Sequence, residues 1–74
     1  MEEIMELLRD VNDEIDYEVE KHLVTGGHLT SLDLLTIIAE AEEKFNIEFT
    51  AAEITPANFE SVESIWNLIL SKKG

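Results

Sequence analysis

Side-chain chemistry needs nucleophiles, bases or metal ligands brought together, and this 74-residue chain has few of them. It has no cysteine, which removes disulfides, Cys-ligated zinc, iron–sulfur clusters and thiol nucleophiles and is compatible with a reducing cytoplasm. The two histidines, His22 and His28, fall in one Gly-bearing stretch, where histidines are more often exposed polar groups than ligands. The many carboxylates form no D-x-[DN]-x-[DN]-G loop for calcium, and on exposed helix faces nothing shifts their pKa values towards acid–base work. A serine nucleophile needs an adjacent base oriented by a third group. The segment that stands out is Gly26-Gly27-His28-Leu29-Thr30-Ser31-Leu32-Asp33-Leu34-Leu35, a loop running into an acidic helix. By itself it makes Ser31 an ordinary first-turn serine beside a Thr cap, and the chain is not expected to be an enzyme.

The elements that must position this segment are helical. Ile4, Leu7, Leu8, Val11 and Ile15 recur at the spacing of one helix face and predict a first amphipathic helix over about residues 2–14. From Asp16 to Leu29 the apolar residues Tyr17, Val19, Leu23, Val24 and Leu29 keep no period, which reads as a long loop pinned by several apolar side chains. A second helix over about 31–45 has its buried stripe at Leu34, Ile37, Ile38, Ala41 and Phe45. Thr30 is its N-cap, Asp33 three residues on makes a near capping box, and Asn46 closes it. Thr50 with Glu53 opens a single turn around Ala51–Ile54, and Pro56 starts a short helix to Phe59. Ser61 caps a last helix whose face is Val62, Ile65, Trp66, Ile69 and Leu70. The expected fold is all-α: a small antiparallel four-helix bundle of three main helices and one short one, a single domain over 1–74.

On the second helix, Leu32, Leu35 and Ala39 follow a further i, i+3, i+7 spacing, rotated away from the main stripe. A helix apolar on two flanks is either deeply buried or offers one flank to a partner, and a chain with so few helices favours the partner. Asp33, Glu40, Glu42, Glu43 and Glu48 border this flank as an acidic rim interrupted by Lys44 alone.

Seventeen Asp and Glu against five Lys and Arg give a formal charge of −12 and a pI near 4.2. Nucleic acid and an anionic membrane surface are not expected as partners because both need a basic patch, and two of the five basic residues, Lys72 and Lys73, sit in the terminal tail. On composition alone such acidity reads as solubility; the sharper reading is electrostatic steering towards basic partners. No apolar run approaches the roughly 20 residues of a membrane span, and Met1-Glu2-Glu3 is the opposite of a basic signal-peptide start. A soluble, cytoplasmic protein is expected.

With these residues in place, the chain resembles the acyl carrier and peptidyl carrier proteins. In that family a Gly-containing loop leads to an Asp-Ser-Leu motif at the start of the second helix, and Ser31-Leu32-Asp33 matches the latter part of it. Glu42-Glu43-Lys44-Phe45-Asn46-Ile47 parallels the Glu-rich helix end and Phe-Gly-Ile step. Ile54-Thr55-Pro56-Ala57-Asn58-Phe59, then Ser61-Val62, looks like the short third helix and the start of the fourth. The ordered set, which covers nearly the whole chain, is far more specific than the short motif. The departure is Thr30, where the family normally has Asp. Threonine caps the helix equally well, so its consequence falls on recognition by the modifying enzyme.

The resemblance implies 4′-phosphopantetheine attached covalently to Ser31 by a phosphopantetheinyl transferase, with the transferase supplying the base and magnesium. The arm's thiol would hold acyl or aminoacyl groups as thioesters for loading and condensing enzymes of fatty-acid, polyketide or nonribosomal-peptide type. Leu32, Asp33, Leu35, Ala39, Glu42 and Glu43 would form the docking surface for the basic faces of those enzymes. Two alternatives stay open: an interaction module that keeps the carrier fold without the prosthetic group, and a small acidic regulator unrelated to carriers.

Overall fold

A computed structural model describes residues 2–73. Within them the chain forms α1 (Glu2–Val11), α2 (Ser31–Phe45), a 3-10 turn (Ala51–Glu53), α3 (Pro56–Phe59) and α4 (Val62–Lys73), with no strand among the described residues. α1 packs against α2 and more lightly against α4, and α3 packs against α4. The core holds most of the expected stripes, Ile4, Leu7 and Leu8 from α1, Ile37, Ile38, Ala41 and Phe45 from α2, and Val62, Ile65 and Ile69 from α4, joined by Phe59 from α3, while Val11, Ile15, Leu34 and Trp66 are only half-buried at its edge. Phe45 and Trp66 meet edge to face at 5.7 Å, as do Phe49 and Phe59 at 5.9 Å, so aromatic pairs close the end of the bundle beyond α2.

Local chemistry sets the helix ends. α2 begins on a complete capping box: the Asp33 N–H donates to Thr30 Oγ1 at 3.1 Å, and the Thr30 N–H donates to Asp33 Oδ2 at 3.1 Å. It ends at Asn46, which takes the left-handed conformation at φ 55° and donates its N–H to the Glu42 carbonyl. Thr50 and Glu53 repeat the capping box at the 3-10 turn. At α4, Ser61 and Ser64 cap reciprocally, each side-chain oxygen accepting from the other's backbone N–H.

Three expectations near the ends of helices differ from the structure. α1 stops at Val11, three residues short of the expected end. Asn12 is the cause: its side-chain oxygen accepts the Glu14 N–H at 3.0 Å, and its carbonyl takes the Tyr17 hydroxyl instead of a helical N–H. Lys72 and Lys73, expected in a tail, belong to the last turn of α4. There the Lys72 ammonium lies 2.7 Å from Glu53 Oε1 and over the Phe49 ring, and Lys73 lies over Phe45. Leu70, placed by periodicity on the inner face, is exposed, because the core stripe of α4 runs through Ile65 and Ile69.

The segment between α1 and α2 is ordered without regular structure. Tyr17, Leu23 and Leu29 are buried as apolar pins, whereas Val19 is exposed. Polar hooks add to them: Asp16 Oδ1 accepts the Glu18 N–H at 3.2 Å, and Glu20 Oε2 accepts the His22 N–H at 3.0 Å. With Asn12, these place a side-chain acceptor two residues before its donor three times along the loop.

Candidate functional site

The backbone delivers Ser31 to the surface as the first residue of α2, one step beyond the capping threonine. Four serines are present in the chain, and three have their hydroxyls engaged. Ser61 and Ser64 bond to one another, and Ser71 donates to the Leu68 carbonyl. The Ser31 hydroxyl is held by no hydrogen bond among the described residues, and the residue is exposed. It lies in a surface depression of about 390 Å³ lined by Val24, Gly27, Leu29, Thr30, Ser31 and Leu34.

The surroundings of this hydroxyl suit a phosphate ester. The capping box satisfies the Asp33 N–H, and the Leu34 N–H reaches the Thr30 carbonyl at 3.0 Å. The N–H groups of Ser31 and Leu32 precede the first possible intrahelical partners, so the positive end of α2 faces the hydroxyl. The neighbouring Asp33 carboxylate is occupied by the Thr30 N–H. No histidine, lysine or arginine side chain lines the depression, so the chain offers no base of its own at this oxygen. Of the two histidines, His28 places its Nε2 2.9 Å from Glu20 Oε1, away from this depression. Ser31 therefore presents an exposed hydroxyl at a helix end whose field favours phosphate, in a depression lined by no histidine, lysine or arginine.

Around α2 the structure separates the remaining candidates. Leu32 is 72% exposed and Leu35 62% exposed, and Ala39 is also exposed, while the other flank is buried as far as Phe45. At about 100° per residue, Leu32, Leu35, Ala39, Glu42 and Glu43 fall within one sector of the helix and Ser31 adjoins it. Asp33 lies about 100° further round, half-buried, with its carboxylate spent on the cap. Glu42 is half-buried too, and its Oε2 accepts the Phe49 N–H at 2.9 Å, fixing the chain as it leaves α2. Glu43 is exposed and joins Glu40, Lys44, Leu7 and Asp10 around a shallow depression between α2 and α1.

One residue at the site gives no signal in the local sequence. Glu60, just after α3, accepts the Val24 and Thr25 N–H groups on Oε1, both at 2.9 Å, and the Thr25 hydroxyl on Oε2 at 2.5 Å. Its backbone carbonyl also accepts the Leu23 N–H at 2.8 Å. The Thr25 hydroxyl first, then the Thr25 and Val24 N–H groups, hold its carboxyl below the ordinary carboxylate range. A glutamate 35 positions from its partner follows no local pattern, so only the folded chain reveals it.

The described residues contain no group of three or more His, Asp or Glu side chains able to hold a metal ion, and no helix long and apolar enough to cross a membrane. Over 57 residues the chain is 34% identical to Aminoacyl carrier protein 1 of Bradyrhizobium diazoefficiens, a match covering 77% of this chain and 62% of that relative's length. This similarity supports a carrier-protein family. No family model and no solved structure matches the sequence.

Proposed function

We propose that the chain is a phosphopantetheine-dependent carrier, with Ser31 as the attachment site and aminoacyl or other small acyl groups as its cargo. The observation that bears most weight is the Ser31 hydroxyl, exposed and unengaged at the positive end of a fully capped helix while the other serine hydroxyls are committed. Similarity to a protein named as an aminoacyl carrier favours the aminoacyl class among the possible cargoes.

When bound, 4′-phosphopantetheine supplies a terminal thiol that holds the cargo as a thioester. This chain's own residues do the rest by placement. Ser31 provides the oxygen, and the transferase provides the base. The free N–H groups of Ser31 and Leu32 would face the negative charge of a phosphate ester there. Thr30 keeps the helix start rigid without adding a carboxylate beside it. Leu32, Leu35 and Ala39 give an apolar strip for loading and condensing enzymes, and Glu43, with the outward part of the acidic rim, draws in their basic faces. Asp33 and Glu42 contribute charge to that rim while their carboxylates serve the two ends of α2.

Intact-mass measurement after incubation with coenzyme A, magnesium and a broad-specificity phosphopantetheinyl transferase tests this reading. One added phosphopantetheine, lost in Ser31→Ala with helical circular dichroism unchanged, is the expected result. Modification that persists in Ser31→Ala would refute the site, and no modification by any transferase tried would favour an unmodified interaction module.

A further inference from the structure

The loop that ends at Ser31 is fastened at its far side by Glu60. The Glu60 carbonyl and carboxylate together accept the N–H groups of Leu23, Val24 and Thr25 and the Thr25 hydroxyl. Beyond Thr25 the chain turns back on itself. The Gly26 N–H donates to the His22 carbonyl at 2.7 Å, where a Cβ on Gly26 would meet that same oxygen at 2.4 Å. Gly27 takes φ +76°, and the N–H groups of His28 and Leu29 both return to the Leu23 carbonyl, at 3.1 and 2.8 Å. The Leu23 peptide unit is thus held on one side by Glu60 and on the other by the residues leading into Ser31. Val24, which Glu60 grips, and Ser31 line the same depression.

We infer that Glu60 is a positioning residue for the modification of Ser31, holding the loop wall beside the hydroxyl in one conformation before a transferase arrives. The inference rests on Ser31 being the attachment site. A loop already ordered spares the encounter the entropy of ordering it, so the effect belongs in substrate binding more than in the chemical step. Glu60 does not touch the reacting oxygen, and its influence passes through residues 23–25 and the turn that follows.

The test combines amide hydrogen exchange with transferase kinetics on the whole chain. Loss of charge-assisted hydrogen bonds in Glu60→Ala should raise the transferase KM for the carrier about tenfold while kcat stays within about twofold. Exchange at Val24 and Thr25 should accelerate, with α2 core amides still protected. Glu60→Gln, which keeps an acceptor without the charge, should fall between Glu60→Ala and the unaltered protein. Thr25→Val, lacking only the hydroxyl, should move KM in the same direction by less, and it decides the matter should Glu60→Ala fail to fold. Fast exchange at residues 24 and 25 with unchanged KM in these variants would make Glu60 a purely structural residue and overturn the inference. An unaltered protein that no transferase modifies would remove the premise instead, a failure recognisable because it appears before any substitution is made.

Discussion

The Tyr17 hydroxyl shares its proton between the carbonyl oxygens of Leu8, at 3.0 Å, and Asn12, at 2.7 Å, so a loop residue finishes the last turn of α1. The ring itself is buried, and the loop cannot leave without exposing it and freeing the Asn12 carbonyl, whereas the Leu8 carbonyl keeps the Asn12 N–H. Tyr17→Phe should therefore cost roughly 1–2 kcal/mol by denaturant unfolding at neutral pH.

The same tyrosine gives an alkaline signature. Burial first, then the Asp33 and Asp13 carboxylates, pushes its phenol up from 10.0 to about 12. The unfolded chain ionises near 10 while the folded chain keeps its proton, so this residue's contribution is intact below pH 10 and is lost as pH rises towards 12. The stability gap between the native protein and Tyr17→Phe should narrow across that window. A gap constant from pH 8 to about 12 would show that Tyr17 does not titrate differently in the folded state.

At acid pH the sign reverses. Glu60, held down by the Thr25 hydroxyl and N–H, and Glu53, held down by Lys72 and then the Thr50 N–H, both titrate below the ordinary carboxylate range in the folded chain. Their stabilisation is present above the unfolded-chain value of 4.5 and is lost as pH falls through the folded values. Protonating other carboxylates relieves self-repulsion in a chain of net charge −12, so total stability is the wrong readout. The informative quantity is the advantage of the native protein over Glu60→Gln and over Glu53→Gln. Each should be largest near neutrality and shrink below pH 4.5, and an advantage independent of pH would contradict both assignments.

Much of this was legible in the sequence because it is local. The stripe Leu34, Ile37, Ile38, Ala41 and Phe45 is buried or half-buried as its period requires, and the pairs Thr30 with Asp33 and Thr50 with Glu53 form the boxes their spacing implies. The exposure of Leu32 and Leu35 likewise follows from periodicity and a shortage of covering helices. Contacts set by long-range folding were not legible. Tyr17 reads as an apolar pin, but its hydroxyl also bonds the Asn12 carbonyl where α1 stops; Glu60 has no local pattern, yet it holds the loop before Ser31. Glu42 and Asp33 read as rim charges, and only the backbone around them shows that each carboxylate secures an end of α2.

The two flanks of α2 separate stability from recognition. Ile38, 8% exposed, should cost on the order of 2–5 kcal/mol when cut to alanine. Leu35→Ala, on the open flank, should leave unfolding within about 0.5 kcal/mol and weaken binding of transferase and loading enzymes. That binding should also weaken with added salt, since charges separated by more than about 10 Å are screened at 0.1 M. A destabilising Leu35→Ala with a silent Ile38→Ala would assign the flanks the other way round.

Thr30 tests whether the residue before Ser31 serves the fold, the modifying enzyme, or both. Its hydroxyl accepts the Asp33 N–H at 3.1 Å, and its own N–H is taken by Asp33, so an aspartate there could make the same cap. The new carboxylate would sit beside that of Asp33, and this repulsion offsets part of what it gains at the positive end of α2. Thr30→Asp should thus change stability by no more than about 1 kcal/mol, whereas Thr30→Ala, which loses the cap, should cost about 1 kcal/mol. The transferase should distinguish the native and aspartate forms more sharply, because a carboxylate next to Ser31 can pair with a basic residue of the enzyme and a hydroxyl pairs only weakly. With enzyme, magnesium and ionic strength held constant and product followed by mass spectrometry, Thr30→Asp should raise kcat/KM at unchanged helical content. Equal and fast modification of both proteins would show that capping, which either residue provides, is all this position contributes.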